Sequence, residues 1–336
     1  MPYSAQHYAI GAVAVAMLAG LSTTAAQAAP DQSTCSWTVR TLPAAPGYAQ
    51  SYAWGTDHGS HVYGAVTNDF LLHTNPAIWS TDGGTPPRVL DNAHGRSTRI
   101  LAMNAAGVAV GNYSNGGNAL PVRYANGAYQ DLPVPPGTLG GGADDVNAAG
   151  DIVGSVNDDT IIVWPADRPG TYTLLPKAAG DSARPMGIDD ARNVVGQISH
   201  GSQNPRSYVW NAAGQATLLP VTKAGAWVNP AGIRNGRVLG TDTGPDHDTV
   251  VVFDLSGRPL WRLADHVGES INATGLVAGF HQDANGPVQK LLSNGAVVAP
   301  LPSQQGFTAG HDSSVLTDDG WIAGNKNSLA AVARCG

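Results

Sequence analysis

Polar and titratable side chains are concentrated in short segments that recur once in each of seven sequence repeats of about 43 residues. These segments are rich in Asn, Asp, Gln and His, and aromatic residues recur in a second set of segments. Aromatic rings stack on the C–H faces of sugars while amides and carboxylates bond the hydroxyl groups, so the combination suits carbohydrate recognition. The candidate ligand-binding residues are Tyr48, Asp69, Phe70, Tyr113, Asn115, Asp158, Asp159, His200, Asn204, Trp227, Asp246, His247, His281, Asp283 and Phe307.

The same polarity is also what exposed turns require for solubility and backbone geometry. Glycoside hydrolysis would need two carboxylates on either side of the substrate, and several of these Asp residues could face one another across a shared opening. However, nothing marks a proton donor, and Glu269, the only glutamate, is expected in a connection between units. No Gly-x-Ser-x-Gly elbow is present either. No catalytic residue is therefore assigned, and the sequence favours a protein without enzymatic activity.

Metal-ligating residue types show one local cluster. Asp242, Asp246 and Asp248 surround His247, and their oxygen atoms could hold a calcium ion. The segment lacks the glycine and the terminal acidic ligand of an EF-hand loop, and the ten histidines show no His-Glu-x-x-His spacing. The prediction is that the protein has no metal or cofactor, with calcium as the weaker alternative.

The elements that position these residues follow from the repeat. Residues 146–154 read Val-Asn-Ala-Ala-Gly-Asp-Ile-Val-Gly, a pattern typical of two antiparallel strands joined by a tight turn. A second landmark, a leucine followed five or six residues later by a glycine, also occurs seven times, from Leu42 and Gly47 to Leu301 and Gly306, with Leu263 and Gly268 as the sixth pair. The final glycines of the seven copies of the first pattern are Gly64, Gly111, Gly154, Gly196, Gly240, Gly279 and Gly324.

Each unit continues with a third strand that usually ends in an aromatic residue and a fourth that ends at the landmark leucine. Four-stranded units of this length, repeated radially, predict an all-β, seven-bladed β-propeller. The mature chain begins with a lone fourth strand, residues 36–43, and its last unit stops after the third, so the N-terminal strand should complete the last blade. Cys35 and Cys335 flank this junction and predict a disulfide bond between the two ends.

The first residues resemble a secretory signal peptide. An apolar run at residues 9–21 precedes a small-x-small cleavage signal at Ala26-Gln27-Ala28, although no Lys or Arg precedes the run. The predicted organisation is a signal peptide at 1–28 and a single propeller domain at 29–336, secreted to the extracellular space. The net charge of −7 disfavours nucleic acid and anionic membranes as partners.

The repeated Ile/Val-Asn-x-x-Gly-x-Val-x-Gly pattern, with its aromatic-ended strand and Leu-x-x-x-x-Gly loop, resembles the HAF-repeat family of bacterial extracellular β-propeller proteins. The resemblance implies secretion and the propeller fold, but the family offers no shared catalytic signature. The resulting hypothesis is a secreted binding module, lectin-like or specific for a protein partner. Two alternatives are a non-catalytic subunit of a larger extracellular assembly and a propeller glycoside hydrolase or polysaccharide lyase.

Overall fold

The chain folds into seven antiparallel sheets of four strands each. The computed structural model describes residues 35–69, 73–221, 224–244, 247–310 and 313–336, and the structural statements below concern these residues. The sheets follow one another around a central axis, which confirms the predicted seven-bladed β-propeller. The helical elements described are two short 3-10 turns, Ala93–Gly95 and Ser303–Gln305.

Within each blade we name the strands A to D from the axis outwards. Blades 1 to 3 consist of β2 (Gln50–Thr56), β3 (His61–Thr67), β4 (Thr74–Ser80) and β5 (Arg88–Val89); β6 (Thr98–Met103), β7 (Ala109–Asn115), β8 (Asn118–Ala125) and β9 (Ala128–Asp131); β10 (Gly141–Val146), β11 (Ile152–Val156), β12 (Thr160–Trp164) and β13 (Thr173–Leu174). Blades 4 to 6 consist of β14 (Asp181–Ile188), β15 (Val194–His200), β16 (Arg206–Trp210) and β17 (Ala216–Leu218); β18 (Trp227–Arg234), β19 (Arg237–Thr243), β20 (Thr249–Asp254) and β21 (Pro259–Ala264); β22 (Val267–Ile271), β23 (Val277–Asp283), β24 (Gly286–Ser293) and β25 (Ala296–Pro300). Blade 7 consists of β26 (Phe307–Ala309), β27 (Trp321–Lys326), β28 (Leu329–Cys335) and β1 (Trp37–Thr41).

The ring closes as the sequence predicts. The N-terminal strand β1 pairs antiparallel with β28, from Trp37 opposite Cys335 to Thr41 opposite Ala331. Cys35 and Cys335 form a disulfide bond beside this pairing, with a sequence separation of 300 residues. In the chain-entropy account, a cross-link over a loop of this length stabilises the folded state by about 5 kcal/mol. Both ends of the propeller are thereby held in one blade.

The repeated glycine of strand B is explained by close contact between strands A and B. A Cβ atom on Gly64 would lie 1.8 Å from the carbonyl oxygen of Tyr52, and one on Gly154 would lie 2.0 Å from that of Gly142. In blades 1 to 6 the partner strand bulges immediately after the residue that faces the glycine, for example between Ala53 and Gly55 in β2. These positions must be glycine because a side chain would overlap the backbone of strand A beside the bulge. Their role is structural, as the sequence predicts.

The asparagine of the repeat joins neighbouring blades. In the turn between β10 and β11, the side chain of Asn147 accepts a hydrogen bond from the backbone N–H of Asp151 at 2.8 Å. Its Nδ2 donates to the carbonyl oxygen of Asp189, in the corresponding turn of the next blade, at 3.0 Å. Asn104 donates in the same way to the carbonyl of Asn147, and Asn272 to that of Thr317. Each such side chain closes its own turn and bonds the adjacent one.

The Leu-to-Gly landmark marks a loop between two blades in six of its seven pairs, and the prediction is wrong for the pair Leu263 and Gly268. The glycines of six pairs have positive φ in the loop between strand D and the next strand A, as at Gly47 (φ 83) and Gly306 (φ 75). Gly268 instead lies within β22 and Leu263 within β21, so this pair does not form a loop. Strand β21 continues to Ala264, and only Asp265 and His266 connect it to β22. Blades 5 and 6 therefore share an unusually short connection.

Candidate functional site

Strands A surround the axis, so their side chains and bulges determine what faces the centre of the ring. The connections from B to C and from D to the next A emerge on one face, which we call the loop face. The connections from A to B and from C to D emerge on the opposite face, which we call the turn face. Because B and C are the second and third strands from the axis, the B–C loops lie farther out than strand A. This radial order decides which candidate residues can meet.

A cavity of about 450 Å³ lies at the axis and is formed mainly by strands A. The bulged positions of five blades line it, and Val267 and Phe280, at the loop-face end of the β22–β23 pair, extend the lining towards the loop face. Asn229, Pro185 and Pro230 complete a wall of mixed polarity, with Ser313 contributed by blade 7. The bulged residues in this lining are Leu101, Asp144, Met186, Ala231 and Glu269.

Two carboxylates, those of Asp144 and Glu269, belong to this axial cavity. Asp144 is the bulged residue of β10, and its Oδ2 accepts a hydrogen bond of 3.4 Å from the hydroxyl of Ser155. Glu269 is the bulged residue of β22, which corrects its predicted place in a connection between units. The bulge is the physical reason, because the extra residue in strand A has no cross-strand partner and faces the centre.

The turn-face end of the axis is crossed by an ion-pair network. Arg234, at the end of β18, lies 3.0 Å from Oδ2 of Asp318 in blade 7 and 3.9 Å from Oδ1 of Asp190 in blade 4. His58 joins this cluster, with its Nδ1 3.1 Å from the carbonyl oxygen of Leu316. Burial and the positive charge of Arg234 lower the pKa of His58 from 6.5 to about 4. Polar groups of four blades thus meet at the turn-face end.

Two of the predicted carboxylates in the B–C loops, Asp69 and Asp283, are engaged in their own turns. Asp69 accepts hydrogen bonds from the ring of His73 and from the hydroxyl of Thr67, and the bond from His73 lowers the pKa of Asp69 to about 2. Asp283 accepts the backbone N–H of Asn285 at 2.7 Å. Such bonds are those of turn-forming residues, and they lie away from the axial cavity.

The remaining predicted residues differ in exposure. Asp158 is exposed at positive φ, Asp159 accepts a hydrogen bond from Thr160, and Asn115 accepts one from Arg96. His247 and Asp283 are exposed, while Tyr48, Trp227 and His281 are partly buried. Phe70 and Asp246 lie outside the described residues. The structure thus leaves the predicted set dispersed around the rim of the loop face.

Two of the predicted aromatic residues are core residues. Phe307 is 1% exposed and packs with Leu301 and Ile322, and its ring occupies the space beside Gly324 that a Cβ would fill. Tyr113 is 6% exposed and packs against Val122. Burial and the carboxylate of Asp131 raise the pKa of the Tyr113 hydroxyl. Neither ring presents a face on which a sugar could stack.

One group of predicted residues does come together, on blade 4. His200 and Asn204 line a groove of about 600 Å³ with the cationic side chains of Lys177 and Arg206 and the ring of Tyr208. The Nδ1 atom of His200 lies 2.6 Å from Oδ1 of Asp181. The blade-4 groove is thus rich in hydrogen-bond donors, whereas the axial cavity carries carboxylates.

The suggested calcium ligands Asp242 and Asp248 lie at different places on blade 5, and Asp246 lies outside the described residues. Asp242 is fully buried within β19, and Asp248 lies just before β20. Among the residues that the structure describes, no group of three or more His, Cys, Asp or Glu side chains is placed to hold a metal ion. In the same part of the chain, no helix has the length and apolar character needed to cross a membrane.

The axial carboxylates were missed because they lie outside the polar loop segments. A usable signal was nevertheless present in the sequence. The bulged residue stands three positions before the polar residue that opens each A–B turn, as Asp144 precedes Asn147 and Glu269 precedes Asn272. Aligning the repeats on this offset would have identified the residues that face the axis.

Comparison with known proteins identifies the fold without a family. No protein-family model matches the sequence, and no curated protein does. A structure described as YCF48 bound to D1 peptide has a TM-score of 0.55 and 14% identity, covering 89% of this chain and 96% of that one. An oligogalacturonate lyase in complex with manganese has a TM-score of 0.58 and 14% identity, covering 90% and 98%. A prolyl endopeptidase has a TM-score of 0.53 and 10% identity, covering 76% of this chain and 40% of the enzyme. At these identities the likeness shows the propeller fold, and resemblance to the HAF-repeat family stays a prediction.

Proposed function

We propose that this protein is a secreted β-propeller binding module whose loop face holds a protein partner, with a basic side chain of that partner in the axial cavity. The observation that carries the proposal is a cavity of about 450 Å³ that is lined by the carboxylates of Asp144 and Glu269 together with apolar side chains. Lysine and arginine side chains have an apolar stem and a cationic end, which matches a cavity of this composition. A net charge of −7 also favours approach of a basic partner.

Secretion is supported by two features of the chain. The apolar run and small-x-small signal at the N-terminus are those of a signal peptide. The disulfide bond between Cys35 and Cys335 suits an oxidising compartment. The peptide in the YCF48 structure illustrates that a propeller of this size serves as a peptide-binding scaffold. A stable partner of this kind would also accommodate the alternative of a subunit in a larger extracellular assembly.

Peptide binding tests the proposal directly. Fluorescence anisotropy would compare apolar peptides carrying one central Lys or Arg with the same peptides carrying Ala or Glu. We expect binding of the cationic peptides, and the double variant Asp144→Asn, Glu269→Gln should weaken it at least tenfold, about 1.4 kcal/mol or more. The matched control is Asp158→Asn, Asp283→Asn, which removes two carboxylates from the B–C loops. Equal binding of all four peptides, or no effect of the axial substitutions, would contradict the proposal.

The blade-4 groove supports carbohydrate recognition as a second candidate function. Arg206 and Lys177 provide cationic donors, Asn204 provides an amide, and Tyr208 provides a ring in the same groove. These are the groups that bond and stack on sugars. A glycan array would test this candidate, with binding expected to be lost in the variant Arg206→Gln. A positive array that Arg206→Gln leaves unchanged would place the glycan elsewhere.

The remaining alternative is a propeller hydrolase or lyase. The carboxylates suggested for it lie in the B–C loops, where Asp69 and Asp283 are held in turns. Asp144 and Glu269, which both line the axial cavity, would be the better candidates for such chemistry. Turnover of polysaccharides, abolished by Glu269→Gln, would favour this alternative over the binding module.

A further inference from the structure

Two histidines face each other where blade 6 begins. His266 precedes β22, and His281 lies in β23. In this antiparallel pair Val267 lies opposite Phe280, so His266 and His281 occupy the next cross-strand position towards the loop face. Their ring centroids are 5.2 Å apart, with an interplanar angle of 40°. The pair exists because the connection between blades 5 and 6 is only two residues long, which places His266 at the start of the ladder.

In both histidine rings Nδ1 makes the hydrogen bond, which leaves Nε2 as the nitrogen that could bind a metal ion. Nδ1 of His266 lies 2.8 Å from the carbonyl oxygen of Ala264, and Nδ1 of His281 lies 2.6 Å from that of Asp265. A carbonyl can only accept, so each neutral ring carries its proton on Nδ1 and a lone pair on Nε2. Imidazoles that bind metals are oriented in this way, with one ring nitrogen donating to a carbonyl and the other coordinating.

The Nε2 atom of His266 is shielded from solvent and has no hydrogen-bond partner in the described structure. A buried acceptor without a partner is uncommon and calls for a specific explanation, of which a bound ion is one.

The spacing of the rings also fits. With metal–nitrogen distances of about 2.0–2.1 Å and tetrahedral geometry, two imidazoles on one ion have ring centres about 5 Å apart. We propose that His266 and His281 form a binding site for a divalent transition-metal ion of the kind that prefers imidazole, namely Cu(II), Ni(II) or Zn(II). The described residues supply two ligands, so water or a donor atom of a bound partner completes the coordination. The site adjoins Val267 and Phe280 in the wall of the axial cavity.

Titration of the metal-free protein with Zn(II) and Cu(II) alone tests the site, with calorimetry for affinity and electron paramagnetic resonance for the number of bound nitrogen atoms. We expect one ion per chain, with Cu(II) showing two imidazole nitrogens. His281→Gln and His266→Asn should each reduce the affinity at least tenfold, and the double variant should abolish binding at this site. The matched control is His200→Gln, which removes a loop-face histidine that pairs with Asp181.

A substitution of Lys290 tests the site in the opposite direction, because it should tighten metal binding, whereas a loss of folding could only weaken it. Its positive charge acts on His266, so it also opposes a bound cation. The variant Lys290→Met should therefore tighten Zn(II) binding several-fold, while its thermal unfolding shows that the fold is retained. Binding that is unchanged in both histidine variants, lost equally in His200→Gln, or unaffected by Lys290→Met would overturn the proposal. These measurements use the metal alone, so their outcome is independent of the peptide experiments.

Discussion

The two faces of the propeller use the same polar residue types for different purposes. On the turn face, Asn147 is 1% exposed and bonds both its own turn and the carbonyl of Asp189 in the next blade. On the loop face, Asn204 is exposed and makes a single bond of 3.3 Å to the carbonyl of Gly225. Residue type alone therefore does not identify a site, because burial and the hydrogen-bond partner decide whether an amide joins two blades or is free to meet a ligand.

A second difference separates the centre of the ring from its rim. The B–C loops carry many carboxylates, and those of Asp69 and Asp283 are engaged by their own turns. The axial cavity carries fewer, but bulges in strands of different blades place them in the lining of one cavity. A site formed by strand residues is positioned more firmly than one formed by loops. The candidate site thus owes its geometry to the scaffold, not to the variable loops.

The largest difference in stability is expected between a glycine substitution within a strand, Gly154→Ala in β11, and one in a loop-face connection, Gly137→Ala. In Gly154→Ala the new Cβ would lie 2.0 Å from the carbonyl oxygen of Gly142 and 2.9 Å from the Trp164 ring. We expect loss of about 4 kcal/mol or more in the free energy of unfolding, or failure to fold. Gly137→Ala, in a loop-face connection with φ of 82° and open space around it, should cost about 1–2 kcal/mol. Denaturant unfolding measures both, and equal losses would contradict the assignment of the repeated glycine to the bulge.

Asparagine substitutions should show the next largest effect. Asn147→Ala leaves the backbone N–H of Asp151 without its partner and removes one of the two hydrogen bonds that the carbonyl of Asp189 accepts, so we expect a loss of about 2–3 kcal/mol. Asn204→Ala is the matched loop-face change and should alter the stability by less than about 0.5 kcal/mol. Thermal and denaturant unfolding of the two variants provide the comparison. Similar losses in both would show that the blades are not joined through the turn face.

The smallest effect concerns the pH dependence of the turn face. The pKa of His58 is lowered from 6.5 to about 4 by burial and by Arg234, with Asp318 and Asp57 opposing the shift. The unfolded chain therefore binds a proton near pH 6.5 that the folded chain does not bind until about pH 4. Stability is lost as the pH falls through this window, and His58→Gln should remove that part of the loss, worth a few degrees in Tm. The two proteins should show parallel curves above pH 7, and parallel curves below it as well would contradict the prediction.

Much of the architecture could be predicted because it depends on local patterns. The strand–turn–strand pattern at residues 146–154 forms β10, β11 and their turn with little help from the rest of the chain. The lone first strand and the truncated last unit identified the closure that β1 and β28 form. The pairing of Cys35 with Cys335 followed from that closure. The landmark at Leu263 and Gly268 failed because a five-residue spacing alone does not show whether a leucine ends its strand.

The candidate site was harder to predict because it depends on contacts between blades. Phe307 and Tyr113 were placed on the surface, yet both are buried because each blade is covered by its neighbours on both faces. Asp144 was overlooked because strand residues in a repeat suggest packing, and Glu269 was placed in a connection because the sixth landmark glycine, Gly268, was taken for a loop residue. Their exposure to the cavity depends on a bulge that pairing between strands A and B creates.

The number of blades, the order of the strands and the covalent closure of the ring follow from the periodicity of the sequence and from chain order. Which polar residues meet depends instead on the closed ring. Asp144 and Glu269 belong to blades 3 and 6, and ring closure makes both of them lining residues of one axial cavity although they are far apart in the chain. His266 and His281 become a pair only through the register of β22 on β23. Sites in a propeller arise from radial position, and radial position is a property of the closed ring.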